Sequence, residues 1–438
     1  MIVSTPRESF SEIYSFFKEI SGSHNGILNN KIYQPQSSEE QVKYFAMTAD
    51  FPNYGRLLGN DSKIAYHLSG YGCTREEALI RLIGESLERY SVVYSHAFLN
   101  KNILYATYKE LIASGKNVMP LKYLNVYSIE KQDFISCIGD SDLIGWIAIN
   151  EIYVGEPLYI PAQMFFLGYP DYRNPIEEKR AYIGVSTGTA TYTNREKAIE
   201  NALIEYLQID SFMLSWYAKD VKVPKVILDK DMRDFIYSNK LISEEYNLLV
   251  LDFTLDKPFP IFGIFITSNG YPLYSFGVQG GADPRKTLYR GLLEAATILQ
   301  YNFSSYVYDN SKFLLAQNRN NKFLDLDSNV LYWASEVDKD KKKDFLNSRI
   351  SGEISINDVV SVRKNELLYS ILKYCRKNKF SIGCYEITCP EIGKRDWYVI
   401  RTIIPELLPM CLPGRPFVNH PRMKEYGGCV YELPHPLP

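Results

Sequence analysis

Gly70-Tyr-Gly-Cys-Thr74-Arg-Glu-Glu-Ala78, followed by Glu85 and Glu88, opens a pattern that the chain writes three times. The second copy reads Ser186-Thr-Gly-Thr-Ala190, then Asn194-Arg-Glu-Lys-Ala198, then Glu205 and Gln208. The third reads Gly277-Val-Gln-Gly-Gly281-Ala282, then Asp283-Pro-Arg-Lys-Thr287, then Glu294. In each, a Thr, Asn or Asp sits four residues before a small residue, and a glutamate follows seven residues after that. Thr74, Asn194 and Asp283 suit helix N-caps, because a short side-chain oxygen can accept from the free N–H groups of a helix start. Pro284 then falls at the first helical position, where its missing N–H costs nothing. The repeat predicts three glycine-bearing loops, each leading into an amphipathic helix.

Seven residues are nearly two helical turns, so each glutamate lies on the face of its small residue, about 10 Å along the axis. Glu85 and Glu88, or Glu205 and Gln208, are three apart and share a face as well. One such pair is ordinarily a solvated face. Three in register, flanked by Leu82, Ile83 and Leu87 or by Leu203, Ile204 and Leu207, point to a shared cavity as well as to a duplicated core helix. Acidic clusters without nearby histidines suit Mg²⁺, a hard cation that arrives with phosphates. Glycine loops entering helix starts suit phosphate oxygens, since backbone N–H groups and the helix dipole both point there. No G-x-x-x-x-G-K-[ST], kinase signature or full G-x-G-x-x-G accompanies them, so a nucleotide site here is of a less common type.

The rest of the chain sets bounds. Apolar residues make up 46% of 438 and charged ones 23%, enough for a large buried core. With 49 basic against 51 acidic residues, a nucleic-acid partner held by a broad basic surface is not expected. Seven scattered cysteines form no C-x-x-C pair and read as free thiols of a reducing compartment. The first twenty residues lack an apolar secretory core, and no run approaches the about 20 apolar residues of a membrane span. A cytoplasmic location is expected.

Phe10, Ile13, Phe16, Phe17 and Ile20 have helical spacing, and a Gly/Ser/Asn/Gln-rich stretch follows. Residues 1–59 are therefore expected to be a leading helix and linker, 60–415 a catalytic domain and 416–438 a proline-rich tail. Strand patterns recur at Trp146–Ile152, Leu158–Pro161, Asn247–Phe253, Ile261–Thr267 and Trp397–Pro405. Asp338–Asp344 reads as a solvated loop or helix end. Gly184-Val-Ser186-Thr-Gly188 matches the G-x-S-x-G elbow of α/β-hydrolases. An elbow needs a helix right after the serine, whereas Thr189–Thr193 intervene, and of the later histidines only His420 and His435 follow, both in the tail.

These motifs resemble, in order, those of the YcaO family. Gly70–Arg89 resembles its first ATP motif, Ser186–Gly188 with Glu205 and Gln208 the second, and Gly281–Glu294 the third. Val399-Ile-Arg401-Thr-Ile-Ile-Pro405 is similar to the late strand carrying an ATP-contacting arginine, and Pro434-His-Pro436-Leu-Pro438 to the tail of azoline-forming members. The resemblance runs from about residue 60 to Pro438. It implies a mixed α/β (α+β) fold with the loop–helix units packed on antiparallel sheets. It implies ATP held by Ser186, Glu85, Arg89, Glu205, Gln208, Arg290, Glu294 and Arg401, and Mg²⁺ held by Glu85, Glu88, Glu205 and Gln208. It also makes Pro434, Pro436 and the carboxylate of Pro438 a catalytic arm. Tyr71, Thr193, Ile209 and Thr297 depart from the family's usual Lys, Asn, Arg and Gln.

The activity implied is an ATP-dependent cyclodehydratase, a peptide heterocyclase that turns Cys, Ser or Thr of a ribosomally made precursor into azoline rings, of the streptolysin type. The implied partners are the precursor peptide, a leader-binding protein related to ubiquitin-activating enzymes, an FMN-dependent azoline dehydrogenase, and a second copy in a homodimer. Thioamide or amidine formation on the same fold, and a non-catalytic adaptor presenting a peptide, are the alternatives.

Overall fold

The computed structural model describes residues 10–22, 26–29, 44–52, 67–128, 135–169, 176–318, 321–393 and 395–438. In chain order the elements are α1 (Phe10–Ile20), β1 (Phe45–Asp50), β2 (His67–Gly72), α2 (Arg75–Leu99), β3 (Leu104–Thr107), α3 (Tyr108–Ala113), β4 (Asn117–Val118), β5 (Leu143–Glu151), β6 (Pro157–Pro161), α4 (Ala162–Phe165), β7 (Thr189–Tyr192) and α5 (Arg195–Tyr217). There follow β8 (Val223–Ile227), α6 (Lys230–Ser238), β9 (Asn247–Asp252), β10 (Ile261–Thr267), β11 (Tyr274–Gly280), α7 (Pro284–Tyr308), α8 (Asn310–Ala316), α9 (Ser328–Ala334) and α10 (Lys339–Ser348). The chain closes with β12 (Ile350–Ser355), α11 (Leu367–Lys377), β13 (Gly383–Glu386), α12 (Pro390–Gly393), β14 (Tyr398–Ile403) and α13 (Pro421–Glu425). The fold is mixed helix and sheet, and the five strand patterns read from the sequence all fall on strands.

Three sheets carry the repeat. β1 pairs β2; a second sheet runs β11-β10-β9-β8-β12; a third runs β4-β6-β5-β13-β14-β7, with β3 beside β5. Pairing is antiparallel throughout except at β8/β12 and β4/β6, which are parallel because long crossovers join them. The strand before each repeated helix, β2, β7 or β11, stands at the edge of its sheet. Each helix packs on its own strand and on the next unit's: α2 on β2 and β7, α5 on β7 and β11, α7 on β11 and β2. The three units thus close into a ring.

The expected caps form. Thr74 accepts from the N–H of Glu77 at 3.1 Å, Asn194 from Lys197 at 3.0 Å and Asp283 from Lys286 at 2.8 Å. α1 buries Ile13, Phe17 and Ile20, stacks Phe16 on Trp397 and pairs Glu19 with Arg395 at 2.6 Å, so the leading helix shares the main core. The boundary expected at residue 60 lies outside the described residues.

The proline-rich end is seated in the core, with Leu433 to Leu437 buried. Proline donates no backbone hydrogen bond, so neighbouring side chains donate to the tail's carbonyls instead. Trp216 reaches Leu433 at 3.1 Å, Trp333 reaches Pro434 at 2.8 Å, and the Asn329 amide reaches His435 and Leu437 at 2.7 and 2.9 Å. The charged stretch before β12 starts helix α10, yet Lys342 within it is fully buried. Its ammonium caps the end of α9 through the carbonyls of Tyr332 and Ser335 at 2.5 and 2.8 Å.

Candidate active site

Edge strands leave N–H groups without a ladder partner, and each repeated glutamate fills that need. Glu85 accepts from the N–H of Ser69 at 2.7 Å, sixteen residues upstream, and Glu294 from that of Val278 at 3.0 Å, again sixteen upstream. Glu205 accepts from the N–H groups of Gly188 and Thr189 in the second unit. Gly188 has φ +81°, and a Cβ there would stand 2.5 Å from the Thr402 carbonyl oxygen, so the turn that aims these two N–H groups requires glycine.

One side chain per unit also crosses to the next. Arg89 of α2 donates to the Ser186 hydroxyl. Gln208 of α5 donates to the Val278 carbonyl at 2.9 Å and accepts from the Gly280 N–H at 2.7 Å. Tyr289 of α7 donates to the Cys73 thiol at 2.9 Å. The ring therefore brings together Glu85, Glu88, Arg89, Ser186, Glu205 and Glu294. Gln208 instead has both ends of its amide engaged on β11. Thr297, at the matching place in α7, bonds its own helix at Leu293.

Inside the ring burial favours the protonated carboxyls. Desolvation pushes Glu88 well above the usual carboxylate range; Arg89 opposes it, and the nearby charges of Glu205 and Glu85 add to it. Glu205 is raised to about 7 by desolvation, against the pull of Arg89 and Arg401. Glu294 is also raised to about 7 by desolvation, with Gln279, the Val278 N–H and Arg290 opposing and Glu85 adding. Glu85 is raised by desolvation, offset by Arg89 and the Ser69 N–H. Arg89 lies 3.9 Å from Glu85 and 4.0 Å from Glu88.

Arg401 stands behind this row and is only 1% exposed. Its guanidinium donates to the Thr189 hydroxyl at 2.8 Å and to the Met164 and Val185 carbonyls at 3.0 and 2.7 Å. It grips both ends of the loop carrying Ser186, and burial lowers it to about 10. That loop is pinned again where Thr187 accepts from the Met410 N–H at 3.0 Å. Gln163 clamps the segment before it, accepting from Ala181 and Tyr182 at 2.8 and 3.2 Å. Sequence reading missed Gln163 and Thr187 because nothing in their local pattern marks them; only the chain's return at Ala181 and Met410 gives them a role.

Ser186 is followed by strand β7, not by a helix, so no hydrolase elbow forms. Both tail histidines are buried with Nε2 on backbone carbonyls: His420 on Pro405 at 3.1 Å and His435 on Cys411 at 2.9 Å. The tail lies further along α5 than Glu205, with His435 against Phe212 and Tyr217. Pro434 and Pro436 are buried there and Pro438 is exposed. A cavity of about 740 Å³ opens beside the tail, lined by Tyr127, Phe323, Tyr332, Arg415 and Tyr431 among others. None of Glu85, Glu88, Glu205 and Glu294 lines it.

The donor set of the ring fits a divalent cation. Desolvated like charges that keep protons near neutrality would release them to a metal ion. Among the described residues no three His, Cys, Asp or Glu side chains close into a metal site unaided. Mg²⁺ takes one or two carboxylates and fills its shell with water and phosphate oxygens.

Residues 69–408 match the family model described as YcaO cyclodehydratase, ATP- and Mg²⁺-binding. The chain belongs to the YcaO family. Its YcaO fold is similar to that of a heterocyclase in complex with substrate and cofactor, at TM-score 0.68 and 17% identity, over 91% of this chain and 52% of that one. It is similar to YcaO from Methanopyrus kandleri bound with AMPPCP and Mg²⁺, at TM-score 0.58 and 12% identity, over 91% and 90% of the two chains. It is also similar to a chain of the E. coli microcin synthetase McbBCD complex with pro-MccB17 bound, at TM-score 0.57 and 13% identity, over 86% and 88%. The chain spans about half the length of the first of these, 52%. No curated protein sequence matches it. As in its family, ATP and Mg²⁺ are the expected ligands, and no helix among the described residues is long and apolar enough to cross a membrane.

Proposed function

We propose that this YcaO chain is an ATP-dependent peptide cyclodehydratase, acting in the cytoplasm on Cys, Ser or Thr of a precursor peptide. The observation that carries the reading is the ring itself: four desolvated carboxylates from three distant segments, faced by Arg89, beside a serine loop that Arg401 holds rigid. The relatives bound to substrate and to pro-MccB17 support a peptide substrate and protein partners. A leader-binding protein and a flavin-dependent dehydrogenase belong to the same proposal.

The chemistry asks for what the ring offers. A substrate thiol or hydroxyl adds to the preceding backbone carbonyl, and the resulting oxygen is too poor a leaving group to depart. Transfer of the terminal phosphoryl group of ATP to that oxygen lets it leave as phosphate, giving ring, ADP and phosphate. Mg²⁺, when bound, supplies charge neutralisation for the phosphates. Glu85, Glu88 and Glu205 are assigned to the metal, Arg89, Ser186, Arg290 and Glu294 to the nucleotide. Gln208 and Arg401 are assigned to holding the ring and the serine loop. Pro434 and Pro436 set the extended tail, and the Pro438 carboxylate takes the proton released on ring closure.

The test supplies the chain with Mg²⁺, ATP, leader-binding partner and precursor. Loss of one water mass per modified residue, with matching phosphate release, is the expected result, and Glu85→Ala or Glu205→Ala should abolish both. If both variants still support modification, the chain is an adaptor presenting the peptide, and the proposal fails.

A further inference from the structure

Ser186 is fixed through its neighbours on both sides. The Val185 carbonyl accepts from Arg401 at 2.7 Å, the Gly188 carbonyl from the Thr402 N–H at 2.7 Å, and the Gly188 and Thr189 N–H groups go to Glu205. Thr187 is buried where Ser186 is half-buried, and its hydroxyl accepts from the Met410 N–H at 3.0 Å. The loop is thereby tied to a segment beyond β14 as well as to β14 itself.

That segment is itself held from α5. Asp210, fully buried, accepts the Leu408 N–H at 2.9 Å through one carboxylate oxygen. The other oxygen meets Lys257 at 2.8 Å and Arg422 at 3.2 Å, so the ion cluster sets which way the carboxylate faces. Pro409 separates the two donors; its ring fixes φ and it has no N–H of its own, so Leu408–Met410 is a short, stiff strut. Thr187, Arg401 and Pro409 line a void of only about 10 Å³, room for a single water, so loop and strut pack with little slack. Helix α5 therefore reaches the serine loop twice: directly from Glu205 and, five residues on, from Asp210 by way of the strut.

We propose that Thr187 and Asp210 are positioning residues for the nucleotide site: Asp210 fixes the Leu408–Met410 strut, and Thr187 ties the strut to the loop that presents the Ser186 hydroxyl. The proposal rests on the assignment of Ser186 to the nucleotide and adds two residues that act through it. Thr187 suits the task, since a β-branched side chain has few rotamers and passes a shift of Met410 to the backbone beside Ser186. Asp210 extends the link to Lys257, Asp256 and Arg422, which couples the carboxyl-terminal helix α13 to the loop.

Two measurements on the full chain decide it: hydrogen–deuterium exchange of the peptide covering residues 183–192 without ligand, and ATP turnover with Mg²⁺, leader-binding partner and precursor. Thr187→Val keeps the side chain's shape but not its acceptor, and should speed exchange at Gly188 and Thr189 about tenfold. It should lower kcat about tenfold with a smaller change in KM for ATP, and Thr187→Ser should restore both. Asp210→Asn turns a donor toward either the cations or the Leu408 N–H and should act in the same direction. The double variant should be no worse than the stronger single one, because the two residues share one strut. Ile236→Val trims a separate core cluster; it should lower the unfolding temperature and alter neither reading. Unchanged loop exchange in Thr187→Val overturns the proposal, and since Thr187 lies outside the ion cluster, that variant decides the matter if Asp210→Asn does not fold. Additive effects overturn the shared strut. Faster exchange with unchanged kcat, or a kcat loss matched by Ile236→Val, overturns the positioning role and leaves both residues structural. Expected exchange with neither ATP turnover nor nucleotide binding in wild type overturns the nucleotide reading and leaves the strut standing.

Discussion

Glu294 accepts the backbone N–H of Val278 at 3.0 Å, closing over the edge strand β11 the same sixteen-residue span that Glu85 closes over β2. The carboxylate therefore has a structural task besides any ligand. Glu294→Gln keeps an acceptor and should fold normally while losing Mg²⁺-nucleotide affinity. Glu294→Ala leaves the buried N–H unpaired and should cost about 1–3 kcal/mol, read by urea unfolding. Equal stability of the two variants would mean the bond contributes nothing.

Glu205 and Glu294 are both raised from 4.5 to about 7. The native chain then binds more protons than the unfolded chain between those values, so stability falls as pH rises through that window and levels off above it. The unfolding temperature in cation-free buffer should decline accordingly, less so in Glu205→Gln. Mg²⁺ with nucleotide should raise it more above the window than below. A flat profile would show that the row is already neutralised.

Arg401→Lys keeps a charge but cannot span Thr189, Met164 and Val185. The serine loop should shift, lowering ATP turnover about 100-fold with a smaller change in KM, since misplacement acts on the reacting geometry. An effect on KM alone would place Arg401 in ground-state binding.

Lys257, fully buried, lies 2.8 Å from Asp210 and 2.5 Å from Asp256, and Arg422 of α13 reaches the same two carboxylates at 3.2 and 2.8 Å. Lys257→Met strands buried charge between α5 and the carboxyl-terminal segment and should cost about 3–5 kcal/mol by urea unfolding. A cost below about 1 kcal/mol would show that Arg422 alone suffices.

Deleting Leu433–Pro438 removes the acceptors of the buried Trp216 and Trp333. Tryptophan emission should shift to the red and stability should fall by about 3 kcal/mol or more, from the lost hydrogen bonds and the burial of Leu437. An unchanged spectrum would show that the tail lies elsewhere in solution.

The caps, the glutamates and the strands were legible because they are local: Thr74, Asn194 and Asp283 act within one helical turn, and alternation marks a strand wherever one face is buried. Gln208 is read as an ATP and Mg²⁺ ligand by the same logic, and the structure shows what its amide bonds within the protein. Its face on α5 is the glutamate's face, but the facing surface turned out to be β11, whose free backbone groups occupy the amide. Arg401 is read from the sequence as an ATP contact, and its bonds to Thr189 and to the Met164 and Val185 carbonyls come from other segments that no local pattern could reveal.

By itself the sequence determined that three capped helices follow three glycine-bearing loops and that each carries a carboxylate in register, because backbone hydrogen bonding and helical periodicity are settled over a few residues. Only the tertiary structure decided that α2, α5 and α7 close as a ring, that Tyr289 reaches Cys73, and that the prolines are buried beside Trp216 and Trp333. Those relationships join segments tens to hundreds of residues apart, and which surfaces meet is chosen by the packing of the whole core.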